Sequence, residues 1–297
     1  MVEGGRPAAA SDGEGPVRGA TARRMVLGAQ LRRLREAAGV ARSEAAYAIR
    51  ASDSKLSRVE LGRVAFKERD VSDLLSMYGV RDPGERDAFL DMVRHANQPG
   101  WWRRYSDVMP GWFQDFVGLE ESASLIQTYE LQFVPGLLQI EPYAMAIASR
   151  GRPEYAAEDV RRRMALRIER QKILVGVRPP TLWVVMDESV LHRPIGGRAV
   201  LRDQVEHMLE QSLRPNVKIQ VVPYHLSGYG AEGSFTMLRF AEPELPHVAY
   251  VEHLGGALYL DGLAEIETYS RAFDRLMVDA ETPERSRQLL TKRLAEI

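Results

Sequence analysis

Over the first hundred residues, apolar positions recur three and four apart, which is the helical period. Leu27, Leu31, Leu34 and Ala38 predict a first helix over about Arg24 to Ala38, with Gly39 as its C-cap and Arg32, Arg33 and Arg35 on its polar side. A second, shorter helix spans about Arg42 to Ile49. Its inner face, Ala45, Ala46 and Ile49, is small enough to let another helix cross closely. Ser52 is placed to N-cap a third helix that buries Leu56 and Val59 and ends at Gly62. A fourth, about Arg69 to Tyr78, presents Val71, Leu74, Leu75 and Tyr78 to a core. A fifth opens on Asp82-Pro83-Gly84-Glu85, with a capping acid and a proline at the first helical position, and presents Phe89, Met92 and Val93. The pattern therefore predicts one all-α domain of five helices over residues 23–96. The Gly, Ala and Pro content of residues 1–22 predicts a disordered tail.

The texture then changes. Residues 97–118 hold three of the chain's four tryptophans, Trp101, Trp102 and Trp112, among Pro and Gly. They predict a packed aromatic connector; stacking of bases on these rings is the less favoured reading, since the interleaved cations are limited to Arg103 and Arg104. From residue 119 to 297, helical and extended patterns alternate. Helices are predicted at about 119–127, 142–150, 156–174, 198–212, 264–279 and 283–296. Extended pieces are predicted at TYELQFVPGLLQ, TLWVVMDESVL, VKIQVVPY, FTMLRF, HVAYVEHLG and ALYLD, with Gly255-Gly256 as a hairpin turn. The chain thus reads as multidomain, an N-terminal five-helix domain followed by a larger α+β domain with a mixed sheet.

Charge changes the picture. The net formal charge is −1, which alone argues against a nucleic-acid binder. Yet Arg23 to Asp70 carries twelve Lys and Arg against six Asp and Glu, a local +6, so the rest of the chain is acidic. A basic module on an acidic one is the asymmetry expected when a single domain touches phosphate. There are no cysteines, which rules out disulfides and thiolate metal sites and fits a cytoplasmic protein. There is no run of eighteen apolar residues, so no membrane span is expected, and residues 1–22 lack the apolar centre of a signal peptide.

The third helix turns Asp53, Ser54, Lys55, Ser57 and Arg58 outward. Donors and acceptors on one face of a short helix, braced by another helix across a turn, suit the base edges of the DNA major groove. Residues 27–94 resemble the Xre-type helix-turn-helix family, the relatives of phage repressors and Cro, through LRRLREAAG, the small-residue second helix and SDSKLSRVELGR. The stretches PGWW, VPGLLQ, LWVVMDESVLHRPIGG, VPY and VEHLGGALYLD extend the resemblance to actinobacterial, antitoxin-like Xre regulators, over roughly residues 25–297. The resemblance implies transcriptional regulation through double-stranded DNA, often beside a small companion protein, with a C-terminal domain of unknown biochemical role.

Arg58 falls at that family's base-reading position, where a guanidinium can grip guanine O6 and N7; the plainer reading is a phosphate contact or a solvated side chain. Asp53 either accepts from a cytosine amine or caps the helix. Ser52, Ser54, Lys55 and Ser57 complete the candidate contacts of the helix, and Arg63 and Lys67 in the following loop are candidate phosphate contacts. Arg42 stands where the family has a glutamine that bonds phosphate and braces the reading helix. The change preserves phosphate binding and puts the bracing in doubt. Arg35 and Glu60 stand at the family's spacing for an ion pair joining the first and third helices, a structural role worth about 0–1 kcal/mol if partly exposed.

In the second domain, Asp187, Glu188, His192, His207, His225, His247, Glu252 and His253 invite a metal or catalytic reading, but none has metal-ligand spacing on one helix. There is no phosphate-cradling glycine loop and no nucleophile elbow. The expectation is no enzyme, no cofactor and no metal. Arg161-Arg162-Arg163 is expected to be a solvated face on a helix whose inner side is Val160, Met164 and Ile168, with a partner-binding face as the alternative. The functional expectation is a sequence-specific regulator, a homodimer on a two-fold operator. The alternative is an antitoxin-like module that sequesters a small partner, with DNA binding secondary.

Overall fold

A computed structural model describes residues 19–151, 156–225, 233–243 and 245–297. Its first helix, α1, is Ala20–Ala37. It begins earlier than the apolar pattern predicts, because Ala20, Thr21 and Ala22 carry little hydrophobic signal yet are buried. The expected tail is corrected accordingly: residues 19–22 belong to the folded body, and residues 1–18 lie outside the described residues. There follow α2 (Arg42–Ala48), α3 (Asp53–Glu60), α4 (Glu68–Met77) and α5 (Pro83–Ala96). Leu27, Leu31, Ala45, Ala46, Ile49, Leu56, Val59, Val71, Leu74, Leu75, Phe89 and Val93 close one core between them, with Met92 only partly buried at its margin.

The connector is folded rather than extended. Trp101–Tyr105 forms a 3-10 turn in which Trp101 meets Trp102 and Tyr105 edge to face. Helix α6 runs Gly111–Ser122, so the expected boundary at 118 falls inside a helix. Its register is set by Phe113, Phe116, Val117 and Leu119, which recur at helical spacing. The expected helix end at 127 is instead strand β1, Leu125–Glu130.

Strands β2 (Thr181–Asp187), β3 (Val217–Val222), β4 (Phe235–Arg239), β5 (Val248–His253) and β6 (Gly256–Leu260) complete a six-stranded sheet in the order β3-β2-β1-β4-β5-β6. β1, β2 and β3 run parallel, and β4, β5 and β6 join antiparallel. Strand β2 stops at Asp187 because its carboxylate accepts from the Ser189 amide at 2.8 Å and starts a one-turn helix, α9 (Ser189–His192). One sheet face is covered by α6, by α7 (Glu141–Gly151) and by α10 (Arg198–Gln211), with α8 (Ala157–Gln171) packed on α7. The other carries α11 (Leu263–Asp279), whose Phe273 and Leu276 seat on Tyr129, Val185, Phe235, Met237 and Ala249. Helix α12 (Pro283–Glu296) packs against α10 and β3. The inner side of α8 is Met164, Leu166 and Arg170; Ile168, expected inside, is exposed.

The two cores share one helix. Ala22 and Val26 of α1 lie in the sheet domain's core with Phe116 and Leu119, while Leu27 and Leu31 lie in the five-helix core. Arg162 adds a clamp from α8, donating to the Asp107 carboxylate and, at 2.6 Å, to the Arg104 carbonyl. The arginine run is therefore not simply a solvated face.

Candidate nucleic-acid interface

Helices α2 and α3 and the turn between them are fixed by local chemistry. The Ser52 hydroxyl accepts from the Lys55 amide at 3.2 Å and caps α3. Arg50 turns the chain with a φ of 53°, outside the region L residues prefer. At the far end, Gly62 takes a φ of +65°, and a Cβ there would come within 2.5 Å of the α1 backbone at Arg24 and Met25. Gly28 of α1 likewise meets the Val59 and Glu60 carbonyls, 2.7 and 2.6 Å from where its Cβ would stand. The two glycines let α1 and α3 cross at backbone contact, and so set the angle at which α3 is presented.

The outward side of α3 carries Asp53, Ser54 and Arg58 exposed, with Lys55 and Ser57 half-buried. Ser52, Arg63 and Lys67 are exposed around them, and so is Arg42 at the start of α2. Lys55 has a second partner, since its ammonium lies 3.8 Å from the Asp70 carboxylate on α4. The Ser54 hydroxyl is 3.0 Å from that of Ser52, so both belong to the cap as well as to the surface. Arg58 makes no ion pair among the described residues and extends from the last turn of α3.

Beneath this face, Arg35 donates from Nε and Nη2 to both Glu60 oxygens, at 2.5 and 3.2 Å, with both side chains buried. The value expected for a partly exposed pair therefore does not apply. The bond to Glu60, ahead of the opposing cost of burial, holds the Arg35 guanidinium above its ordinary value. The Arg42 Nε lies 3.7 Å from the same carboxylate. The bracing that the loss of glutamine put in doubt is thus supplied by charge: one glutamate of α3 holds arginines of both α1 and α2. Sequence reasoning missed this three-way contact, because nothing in the spacing of Arg42 and Glu60 shows that α2 brings them together. It also passed over Tyr47, which stands 86% exposed on α2 beside Met77 of α4 in a shallow depression.

A helix-turn-helix domain model matches residues 26–89, the span that holds these contacts. A second model, described as a domain of unknown function (DUF5753), matches residues 113–292, well over half of the chain. The chain belongs to the DUF5753 family. No curated protein and no solved structure matches it. The helix-turn-helix match implies DNA binding and gives the DUF5753 domain a DNA-binding leader.

Within the DUF5753 domain, the titratable residues singled out from sequence do not converge. Glu188 pairs with His192 at 3.4 Å and accepts from the Tyr224 amide at 2.8 Å. His247 receives the Phe240 amide, His253 receives the Gly255 amide in the β5–β6 turn, and His207 sits on α10. Glu252 accepts from the Tyr250 hydroxyl at 2.9 Å. A group the sequence did not flag lies under α8. Arg170 makes a two-bond pair with Glu120, both bonds 2.8 Å, over the Phe113 and Phe116 rings. Arg167 donates to Gln139, and burial pushes its guanidinium down to about 10. Among the described residues, no helix is long and apolar enough to cross a membrane.

Proposed function

We propose that the chain is a sequence-specific transcriptional regulator of the Xre type, acting in the cytoplasm as two copies on a two-fold symmetric operator. The observation that carries this reading is the presentation of Arg58, Ser54 and Ser57 on the outward side of a capped helix whose inward side is held by the Arg35–Glu60 pair. On this reading α3 enters the major groove, Arg58 reads a guanine edge, and Arg63, Lys67 and Arg42 touch phosphate. The sheet domain serves as the regulatory and assembly module, and the reading assigns no catalysis, cofactor or metal to the chain. Companion-protein binding of the antitoxin-like kind belongs to the same module.

The test is selection of bound duplexes from a random library, followed by fluorescence anisotropy at several salt concentrations. Arg58→Ala is expected to cost about 1–3 kcal/mol on the selected site and to relax preference at one base pair. Lys67→Ala is expected to weaken selected and random DNA alike and to lower the salt slope by about one. Equal losses for both variants on both DNAs would overturn the division of roles between Arg58 and Lys67. Failure of selection to enrich any sequence would overturn the function.

A further inference from the structure

The two edges of the sheet are finished differently. At the β3 edge Val221 is covered on its outward side: the Glu281 amide donates to the Val221 carbonyl at 2.9 Å, and the Val221 amide donates to the Ser286 hydroxyl at 3.0 Å. That edge also carries Lys218, the sort of charge that blunts a strand against further pairing. At the other edge, β6 pairs with β5 alone, and among the described residues no backbone bond reaches it from anywhere else. Its sequence, Gly-Ala-Leu-Tyr-Leu, holds neither charge nor proline. Three leucines stand into solvent along it: Leu254 at 100% exposure in the turn before the strand, Leu258 at 51% in its middle, and Leu263 at 77% at the start of α11. An uncharged, apolar strand edge left open invites another strand, and folds that stay single avoid it.

We propose that β6 is where two copies of this chain join, strand against strand and antiparallel, about a two-fold axis at Leu258. The proposal deepens the two-copy reading above by naming its contact surface, and the register is what selects a second copy as the occupant. Antiparallel pairing about Leu258 sets Tyr259 opposite Ala257 and Leu260 opposite Gly256. Off the axis, each large side chain meets a small one. No like charges face each other, since β6 itself carries no charged residue. The two Leu258 side chains meet on the axis, so the exposed leucine in the middle of the edge is covered. A closed two-fold contact of this kind is isologous and leaves no free edge to propagate. It joins two six-stranded sheets into one of twelve.

The chain has no cysteine, which makes the test direct. Residues facing each other on the axis of an antiparallel pair have Cα atoms about 4.5–5.5 Å apart, inside the roughly 4.4–6.8 Å span of a disulfide. Under mild oxidation, full-length Leu258→Cys should become a covalent dimer. Val177→Cys, at a fully exposed site off this edge, should stay monomeric on denaturing gels. By sedimentation, the unmodified chain should be a dimer without DNA, and Leu258→Lys should shift it to monomer by at least tenfold in dissociation constant while its circular dichroism is unchanged. A monomeric unmodified chain at tens of micromolar would overturn the proposal, as would a dimer that Leu258→Cys fails to cross-link. Dimerisation that appears only after residues 1–18 are removed would mean that the chain's own N-terminal segment occupies the edge, and would overturn it too. Footprinting separates this proposal from the functional reading. Two protected half-sites with Leu258→Lys still dimeric would sink the interface alone. A cross-linked dimer that protects a single half-site would sink the two-fold operator alone.

Discussion

Glu60 shows how one side chain can hold a reading surface together. Its carboxylate is buried, it accepts two bonds from Arg35, and it lies 3.7 Å from Arg42. Removing a buried pair's partner leaves a charge that neither water nor protein satisfies. Glu60→Ala is therefore expected to cost about 3–5 kcal/mol in urea unfolding, far beyond the effect of losing an exposed pair. Glu36→Ala supplies the comparison. Its carboxylate meets the same Arg35 at 3.4 Å but is itself exposed, and its loss is expected to leave the urea midpoint close to that of the unmodified chain. Arg58, by contrast, carries no structural duty among the described residues, so its substitution is expected to leave the unfolding midpoint where it is. The family resemblance singled out both members of the 35–60 pair. It undervalued the pair because exposure belongs to the fold.

Among the elements, β1 carries the most informative strain. Its last residue, Glu130, is hydrogen-bonded to Ser234 and feels the charges of Glu252 on β5 and Arg167 on α8. Burial pushes the Glu130 carboxyl up to about 8; a bond from Ser234 pulls it back, and the neighbouring charge of Glu252 adds to the rise. A carboxyl raised in the folded state favours the native form while protonated. That contribution is complete below the ordinary carboxylate value and is lost as pH climbs through about 8. Unfolding free energy is thus expected to fall between about pH 5 and pH 9, and Glu130→Gln should flatten the fall. A slope unchanged in Glu130→Gln would place its cause elsewhere. Nothing in the local sequence marks this glutamate, since it ends an ordinary strand pattern and the groups around it, Arg167, Ser234 and Glu252, all follow later in the chain.

For the whole molecule, the decisive element is α1, whose 18 residues span about 27 Å and serve two cores. Its first half sits on α6 and its second half on α3, so the DNA-reading helix and the sheet domain are tied through one rod. The polar contacts across the joint follow suit. Asp115 of α6 is raised by burial against the opposing charges of Arg24 and Arg63, and Arg63 is also a candidate phosphate contact. The two domains should therefore melt together. Val26→Ala, which removes about two methylene equivalents from the shared joint, is expected to cost on the order of 1–2 kcal/mol. Calorimetry should show a single transition lowered by about 2–8 °C, and two separated transitions would contradict the shared-core account.

The sequence by itself determined the five helices and their caps, the positions of the candidate contacts, the strands from 181 onward and the basic-on-acidic asymmetry. Each of these is written in local periodicity, capping chemistry or charge count. What only the tertiary structure decided is where those pieces meet. The start of α1 at Ala20 was invisible because small residues bury without a hydrophobic signal. The α6–β1 division was hidden because an aromatic-rich helix and a strand buried on both faces look alike in composition. The sharing of Glu60 by Arg35 and Arg42, the open edge at β6 and the raised Glu130 all arise from contacts between residues far apart in the chain. Their energies depend on burial, which no local pattern encodes.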